Sequence, residues 1–308
     1  MQQVNYLRLS VTDLCNYRCR YCMAETGVEK MSHHEILSIE ELAEMGRAAV
    51  ACGITKIRLT GGEPLVRKGI VELCRRLKAL DGLKELALTT NGSLLPQFAE
   101  DLKQAGVDRL NFSLDTLSPE KFAQITRCGK LEQVFQGVEA AEAAGFTRLK
   151  FNTVLMDGFN TDEIPQLVEL TRHKPYSLRF IELMPMGECA DWGRYISNEA
   201  VLRAVPKLEP LGMDGVARLY RLPDGLGTVG LISPISNCFC ADCSRIRITS
   251  QGKLKPCLHS AVELPLRGLW GKELENAIWA GIAQKPQRHE LQFGLQSQAQ
   301  RQMHEIGG

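Results

Sequence analysis

The amino-acid sequence predicts an α/β fold, built as a partial (β/α)6 barrel of the TIM type with a C-terminal extension. Three observations lead to this prediction. Short β-rich runs alternate with helical stretches as far as Leu183, which is typical of parallel strands joined by right-handed crossovers. Six such units in about 180 residues are too few for a closed eight-unit barrel, which takes ~250 residues. After Met184 the alternation weakens and a second group of cysteines follows.

The six predicted strands are rich in β-branched and apolar residues. They are VNYLRLSV (4–11), ITKIRLT (54–60), KELALTT (84–90), DRLNFSL (108–114), TRLKFNTVL (147–155) and SLRFIEL (177–183). The clearest helix begins after Ser38, which forms a capping box with Glu41, and ends at Gly53. Further helices are predicted over 67–80, 95–105, 131–144 and 160–173, with one more near 197–204.

Segments with polar residues and glycines, which are common in active sites, lie at the ends of several of these strands. They are TGGEP (60–64), TTNG (89–92), SLD (113–115) and Asn152. In barrels of parallel strands the C-terminal edge is the active face, so we expect the active site there.

Composition excludes several classes of protein. Lys and Arg total 37 against 36 Asp and Glu, a balance that argues against a general nucleic-acid or membrane-surface binder. We find neither a signal peptide nor an apolar run of membrane-spanning length, so we expect a cytoplasmic protein that contacts no membrane. In a reducing cytoplasm, eleven cysteines indicate metal binding or catalysis more than disulfides.

Three cysteines, Cys15, Cys19 and Cys22, follow the first strand in the run CNYRCRYC. Thiolates suit either of two metal centres. One is zinc, with His33 or His34 completing a Cys3His site. The other is a [4Fe–4S] cluster held by three thiolates, which leaves one iron open. The spacing alone does not separate the two.

A second group, Cys240, Cys243 and Cys257, again offers three ligands. Cys238 is a fourth cysteine nearby, and it leaves open a structural zinc knuckle as the alternative. The run SRIRI directly after Cys243 alternates apolar and basic residues. On a strand this places Arg245 and Arg247 on one face. That face either lines a substrate pocket or, if the strand is at the edge of a sheet, is exposed to solvent.

Basic residues also lie within the predicted barrel strands: Arg8 on the first, Arg58 on the second and Lys150 on the fifth. Long charged side chains are rarely buried without a partner. A polyphosphate would provide one, because guanidinium groups bind phosphate oxygens in bidentate geometry. The alternatives are a solvated strand end or an ion pair with Glu63 or Asp115.

Taken together, the motifs resemble the GTP 3',8-cyclase family of the radical S-adenosylmethionine (SAM) superfamily. The resemblance rests on LRLSVTDLCNYRCRYCM (7–23), KIRLTGGEPLVR (56–67), TTNG, NFSLDTL (111–117), LKFNTVLMDGFN (149–160), FIELMPMGE (180–188), CADCSRIRITSQGKLKPCL (240–258) and the terminal Gly307–Gly308. It therefore spans nearly the whole chain. The resemblance implies that the C-terminal extension contains an iron–sulfur site. It also implies that SAM supplies the ligand missing from the first cysteine loop.

The resemblance also implies roles for individual residues. The first [4Fe–4S] cluster takes Cys15, Cys19 and Cys22, and the second takes Cys240, Cys243 and Cys257. SAM lies against Tyr21, Gly62, Ser113 and Met184. GTP is held by Arg8, Arg58, Thr89, Lys150, Arg245 and Arg247. Arg245, Arg247, Gly307 and Gly308 are expected to serve in catalysis.

The implied reaction converts GTP to 3',8-cyclo-7,8-dihydro-GTP, the first step of molybdopterin biosynthesis. The cofactors are two [4Fe–4S] clusters and SAM, and the partners are GTP, an electron donor and the next enzyme of the pathway. A monomer or a homodimer is equally compatible. Two alternatives remain open: another two-cluster radical SAM enzyme, for example one that modifies a peptide, and a zinc-binding or electron-transfer module. We divide the chain into a core at 1–215 and a C-terminal region at 216–308.

Overall fold

A single curved sheet organises the chain, as seen in a computed structural model that describes residues 3–28, 32, 35–186, 193–289, 297–299 and 301–307. Its strands in the described residues are β1 (Tyr6–Ser10), β2 (Lys56–Thr60), β3 (Glu85–Thr90), β4 (Arg109–Ser113), β5 (Leu149–Leu155), β6 (Ser177–Glu182), β7 (Glu209–Asp214), β8 (Ala217–Arg221), β9 (Thr228–Ile232), β10 (Arg245–Ile248), β11 (Lys253–Lys255) and β12 (Leu264–Pro265). Their spatial order is β12-β11-β10-β1-β2-β3-β4-β5-β6-β9-β8-β7.

Strands β1 to β6 pair in parallel and in sequence order, which confirms the predicted α/β fold with its partial barrel. The structure adds one parallel strand on each side, since β10 pairs with β1 and β9 pairs with β6. Strands after residue 216 thus extend the sheet at both edges. Our division of the chain at residue 215 stays a prediction.

Nine helices accompany the sheet in the described residues, and those between strands β1 and β6 cover its outer face. They are α1 (Ile39–Ala51), α2 (Ile70–Lys78), α3 (Leu95–Gln104), α4 (Pro119–Thr126), α5 (Leu131–Ala143), α6 (Ile164–Glu169), α7 (Glu199–Ala204), α8 (Gly271–Ala283) and α9 (Met303–Ile306). The capping box of Ser38 and Glu41 is present at α1. Among the described segments, no helix has the length and apolar character needed to cross a bilayer.

Helix boundaries differ from the prediction in two places. The helix predicted over 67–80 begins at Ile70, because Pro64–Val66 forms a separate 3-10 turn and Gly69 adopts a left-handed φ of 83°. The helix predicted over 160–173 contracts to Ile164–Glu169 after another 3-10 turn. The prediction also missed α4, which Ser118 caps by accepting a hydrogen bond from the backbone N–H of Lys121.

Side chains on the barrel strands divide by the period of two that strand geometry imposes. The outward side chains, such as Leu7, Leu59, Leu88 and Phe112, are buried between sheet and helices. The inward positions are polar or charged, and they include Arg8, Arg58 and Asn111. A sheet whose inner face is polar needs something polar to fill the space that it encloses.

Candidate active site

The barrel encloses a cavity of about 430 Å³. Among the described residues that line it, nine are Lys or Arg and five are Asp or Glu. Strand register explains the excess of positive charge, because Arg247, Arg8 and Arg58 are direct neighbours across β10, β1 and β2. The alternative of a solvent-facing edge strand for Arg245 and Arg247 is wrong, since β10 lies between β1 and β11 and Arg247 is only 5% exposed.

Several cations in this cavity are poorly compensated. Burial, together with Arg58 and Arg245, lowers the pKa of Arg8 to about 10. Burial also holds the pKa of Arg247 well below its usual range, and Arg8 and Arg245 add to the effect. The buried Nε atoms of Arg8 and Arg58 and the hydroxyl of Thr89 have no hydrogen-bond partner in the described part of the chain. Such a site favours an anion that carries several charges.

Other cations already have partners, though not the Glu63 or Asp115 considered from the sequence. Asp214, at the end of β7, accepts from Lys150 Nζ at 3.0 Å and from Arg179 Nη2 at 2.5 Å. Burial, with Arg179 and Arg109 nearby, still lowers the pKa of Lys150 to about 7. A carboxylate on an edge hairpin therefore reaches into the barrel and pairs with two of its cations.

The first cysteine loop lies at the C-terminal end of β1, as predicted. Cys15, Cys19 and Cys22 are partly buried and line the cavity. Burial raises the pKa of Cys15 to about 11; burial, and then Cys22 and Cys15, raise that of Cys19 well above its usual value. Three thiols held together in this way become thiolates when a metal centre supplies positive charge. The donor set fits a cluster held by three cysteines. The alternative zinc ligands His33 and His34 lie outside the described residues.

The GGEP loop packs directly against the cysteine loop. The backbone N–H groups of Gly62 and Glu63 donate to the carbonyls of Thr12 and Leu14 at 2.8 and 2.9 Å. A Cβ on Gly62 would lie 2.4 Å from the carbonyl oxygen of Leu14, so glycine is required for this close approach. The close approach seen here is to the cysteine loop.

Glu63 ties this loop to the end of β3. Its buried carboxylate accepts from the Thr90 hydroxyl at 2.8 Å and from the backbone N–H of Asn91 at 2.7 Å. Burial nevertheless raises the pKa of Glu63 to about 7. The remaining residues predicted to contact SAM (Tyr21, Ser113 and Met184) also line the cavity. Tyr21 is fixed by donating its hydroxyl proton to Asp115 at 2.8 Å.

The second cysteine group lines the same cavity. Cys240 begins a 3-10 turn that Cys243 closes, and Cys257 follows β11. Burial raises the pKa of Cys243, but Arg245 and Lys285 outweigh it and lower that pKa to about 7. Lys285 Nζ lies 3.5 Å from the Cys243 sulfur. The site therefore carries a thiol that ionises readily, as metal ligation requires.

The C-terminal tail reaches the cavity, which Met303 and His304 help to line. Arg247 donates to the carbonyl oxygens of Ile306, at 3.0 Å, and of Gly307. Gly307 has a left-handed φ of 69°, and a Cβ there would lie 1.9 Å from the Thr60 hydroxyl. His304 Nδ1 lies 2.9 Å from the carbonyl oxygen of Cys22. Gly308 lies outside the described residues.

Sequence reasoning missed several charged or titratable residues of the cavity, among them Arg109, Arg179, Asp214, Lys285 and His304. Arg109 could have been found, because it alternates with Asn111 and Ser113 on β4. Arg179 could have been found in the same way, because it occupies the corresponding inward position on β6. The other three come from segments without βα periodicity, and no local pattern indicates them.

Comparisons with known proteins cover the whole chain. Residues 9–171 match the family described as the Radical SAM superfamily, and residues 176–291 match the one described as Molybdenum Cofactor Synthesis C. The chain is 46% identical over 314 residues to the GTP 3',8-cyclase of Alkaliphilus oremlandii, covering 100% of this chain and 98% of that protein. It is 49% identical over 315 residues to the GTP 3',8-cyclase of Peptoclostridium acidaminophilum, covering 100% and 96%.

Among solved structures, the chain resembles Streptococcus suis SuiB bound to S-adenosylmethionine. The TM-score is 0.68 at 15% sequence identity, over 90% of this chain and 68% of that one. At this identity the likeness concerns the fold alone. The cation-lined cavity and the two cysteine groups therefore lie in a fold shared with a protein whose structure contains bound S-adenosylmethionine.

Proposed function

The chain belongs to the GTP 3',8-cyclase family of radical SAM enzymes, and from this premise we propose which of its residues hold the cofactors and the substrate. The enzyme converts GTP to 3',8-cyclo-7,8-dihydro-GTP, the first step of molybdenum cofactor biosynthesis, and it uses SAM and [4Fe–4S] clusters.

Cys15, Cys19 and Cys22 hold the first cluster, and SAM binds beside it against Tyr21, Gly62, Ser113 and Met184. When bound, this pair would supply a 5'-deoxyadenosyl radical that takes hydrogen from C3' of the ribose of GTP. The protein's own contribution is position and shielding. The hydrogen bond from Tyr21 to Asp115 at 2.8 Å and the tight packing of Gly62 on the cysteine loop keep this end of the cavity rigid.

GTP binds through Arg8, Arg58, Thr89, Lys150, Arg245 and Arg247, to which we add Arg109 and Arg179. The observation that carries this proposal is the set of inward cations in a cavity of about 430 Å³, some with buried N–H groups that lack partners in the described segments. A triphosphate offers several charged acceptors to such a set, and charge-assisted contacts of this kind are strong in a desolvated site.

Cys240, Cys243 and Cys257 hold the second cluster, where the guanine end of GTP is bound. Lys285 and Arg245 stabilise the thiolate of Cys243. Gly307 and Gly308 serve in catalysis, Arg245 and Arg247 hold the substrate, and Arg247 also holds the tail through the carbonyl oxygens of Ile306 and Gly307. A tail of two glycines is narrow enough to lie beside a bound nucleotide, since neither residue has a side chain.

The remaining partners follow from the chemistry. SAM cleavage needs one electron, so we expect an electron donor as a partner, and the next pathway enzyme consumes the cyclic product. We place the protein in the cytoplasm, because oxygen-sensitive clusters with thiolate ligands need a reducing compartment. Either a monomer or a homodimer would satisfy the site.

The test uses full-length protein purified anaerobically and reconstituted with iron and sulfide. Two clusters predict about eight irons per chain, and SAM, GTP and a reductant should yield the cyclic product by mass spectrometry. Equilibrium dialysis should show GTP binding much more tightly than ATP. Arg58→Ala should weaken GTP binding by about 1.5–3 kcal/mol for the lost charge-assisted contact.

The matched control is Arg75→Ala, which removes the same side chain from the exposed face of α2, where it pairs with Glu72. It should leave GTP affinity unchanged. Equal affinity for GTP and ATP, or a protein that contains zinc without sulfide, would overturn the assignment.

A further inference from the structure

A group of metal-binding side chains lies beside the second cysteine triad, and two of its members are not among the ligands assigned to either cluster. These are Cys238 and His289, which lie next to Cys240. The donor atoms of all three lie within 4.8 Å of one another. Within the described ranges, no other trio of Cys, His, Asp or Glu side chains is so close.

The spacing of Cys238 and His289 matches that of two ligands on a single tetrahedral ion. Zinc binds cysteine sulfur at ≈ 2.3 Å and imidazole nitrogen at ≈ 2.0–2.1 Å, so two such ligands on one ion stand about 3.6 Å apart. The Cys238 sulfur lies 3.7 Å from His289 Nε2.

The trio is held in place by its surroundings. The backbone N–H of His289 donates to the Cys240 sulfur at 3.4 Å. The His289 ring also packs edge-on against that of His259, with their centroids 4.9 Å apart. Neighbours that orient a ligand in this way raise the affinity of a metal site.

A cubane cluster places different demands on its ligands. Each of its thiolates binds a separate iron, so they stand farther apart than two ligands of one ion. The described cysteines of the two triads are indeed spread more widely than the trio. Cys240 belongs both to the trio and to the second triad, and one sulfur cannot satisfy both arrangements.

We infer that Cys238, Cys240 and His289 form a mononuclear site for a thiophilic divalent cation such as zinc, and that this site competes with the second cluster for Cys240. Two thiolates and one imidazole suit zinc, and water would complete the tetrahedron. The competition, though not the ion site itself, rests on the proposed second cluster. Zinc would then block assembly of that cluster while leaving the first one intact.

The first experiment measures zinc affinity by competition with a chromogenic chelator. It uses full-length, metal-free protein in which Cys15, Cys19 and Cys22 are changed to Ser, so that the first triad does not bind the probe. Cys238→Ala and His289→Ala should each weaken zinc binding at least ~10-fold, the lower end of what losing even an outer-shell partner costs. Circular dichroism checks that each variant is folded.

The matched controls are Cys243→Ala and Cys257→Ala, which alter the second triad but not the trio. Their zinc affinity should be nearly that of the parent. Zinc affinity that is insensitive to Cys238→Ala and His289→Ala would overturn the site. Equal losses in the two control variants would do the same, because zinc would then occupy the triad.

The second experiment tests the competition with the natural chain. Reconstitution at increasing zinc should lower the iron content from about eight to about four per chain, the content of one cluster. Cys238→Ala should retain about eight irons at the same zinc concentration. Equal zinc sensitivity in both proteins would refute the competition. If the zinc-free protein itself held only four irons, the proposed second cluster would fail, while the zinc affinities would still decide the ion site.

Discussion

Asp214→Asn should tighten GTP binding. The Asp214 carboxylate accepts from Lys150 at 3.0 Å and from Arg179 at 2.5 Å, two cations that we assign to the triphosphate. If the triphosphate binds these two cations as we propose, the Asp214 carboxylate competes with it for them. GTP must displace it, so the free energy of that ion pair opposes binding. Asparagine keeps the size of the side chain and removes its charge.

The magnitude follows from the exposure of the partners. Arg179 and Lys150 are 8% and 14% exposed, but the Asp214 side chain is 52% exposed. A charge-assisted hydrogen bond in a buried site is worth ~1.5–3 kcal/mol and an exposed ion pair ~0–1 kcal/mol. Because water screens one side of this pair, we take about 1 kcal/mol for both contacts together, which corresponds to about fivefold tighter binding.

The assay is equilibrium dialysis of GTP against anaerobic protein with both clusters in place, for the natural chain and for Asp214→Asn. Without GTP the variant should also unfold at lower temperature, because two barrel cations lose their carboxylate. Saturating GTP should reduce that difference. The control is Glu209→Gln, which removes one negative charge from an exposed position on the same strand, β7.

Unchanged or weaker GTP binding by Asp214→Asn would refute the reasoning. Equal tightening by Glu209→Gln would refute it as well, since the effect would then be one of net charge and not of a displaced contact.

Three further predictions concern other parts of the site. Burial lowers the pKa of Lys150 to about 7, so this side chain loses its proton and its positive charge above that pH. GTP binding should therefore weaken between pH 7.5 and pH 9, by up to ~10-fold per pH unit. Lys150→Arg should flatten this profile in dialysis experiments, and a profile equally steep in both proteins would exclude Lys150 as its cause. Gly307→Ala would place a Cβ 1.9 Å from the Thr60 hydroxyl. This substitution, like deletion of Gly307–Gly308, should sharply lower the yield of cyclised product at matched iron content, while SAM binding persists. A normal product yield would show that the tail has no catalytic role. Cys19→Ala should abolish SAM cleavage, measured as release of 5'-deoxyadenosine. Cys257→Ala should retain part of the SAM cleavage, uncoupled from GTP turnover. If Cys257→Ala formed the cyclic product at a normal rate, the second-cluster assignment would be contradicted.

Much of the barrel could be predicted from the sequence, because its signals are local. A period of two in the strands, the capping box of Ser38 and the turn at Gly53 each act within a few residues. The cysteine spacings are local as well, so Cys15, Cys19 and Cys22 could be assigned to the end of the first strand without a structure. Motif resemblance along the chain then indicated the family.

Only the tertiary structure decided how distant segments meet. The run containing Arg245 and Arg247 could have been an exposed edge strand, because the same alternation of basic and apolar residues is expected for an edge strand and for an interior strand. Its pairing with β1, more than two hundred residues away along the chain, turns both arginines into the cavity. Long-range pairing of this kind depends on the free energy of the whole packed sheet, which no short window of sequence contains.

The same reason accounts for Asp214, Cys238 and His289. Asp214 is an ordinary acidic residue near a turn until the β7–β8 hairpin brings it to Lys150 and Arg179. Cys238 and His289 are 51 residues apart along the chain and become a pair of metal ligands only when the segment after α8 returns to the loop before Cys240. The sequence by itself determined the donor types and the local elements that carry them; which donors share a cavity was decided by packing, because contacts between distant segments form only in the complete fold.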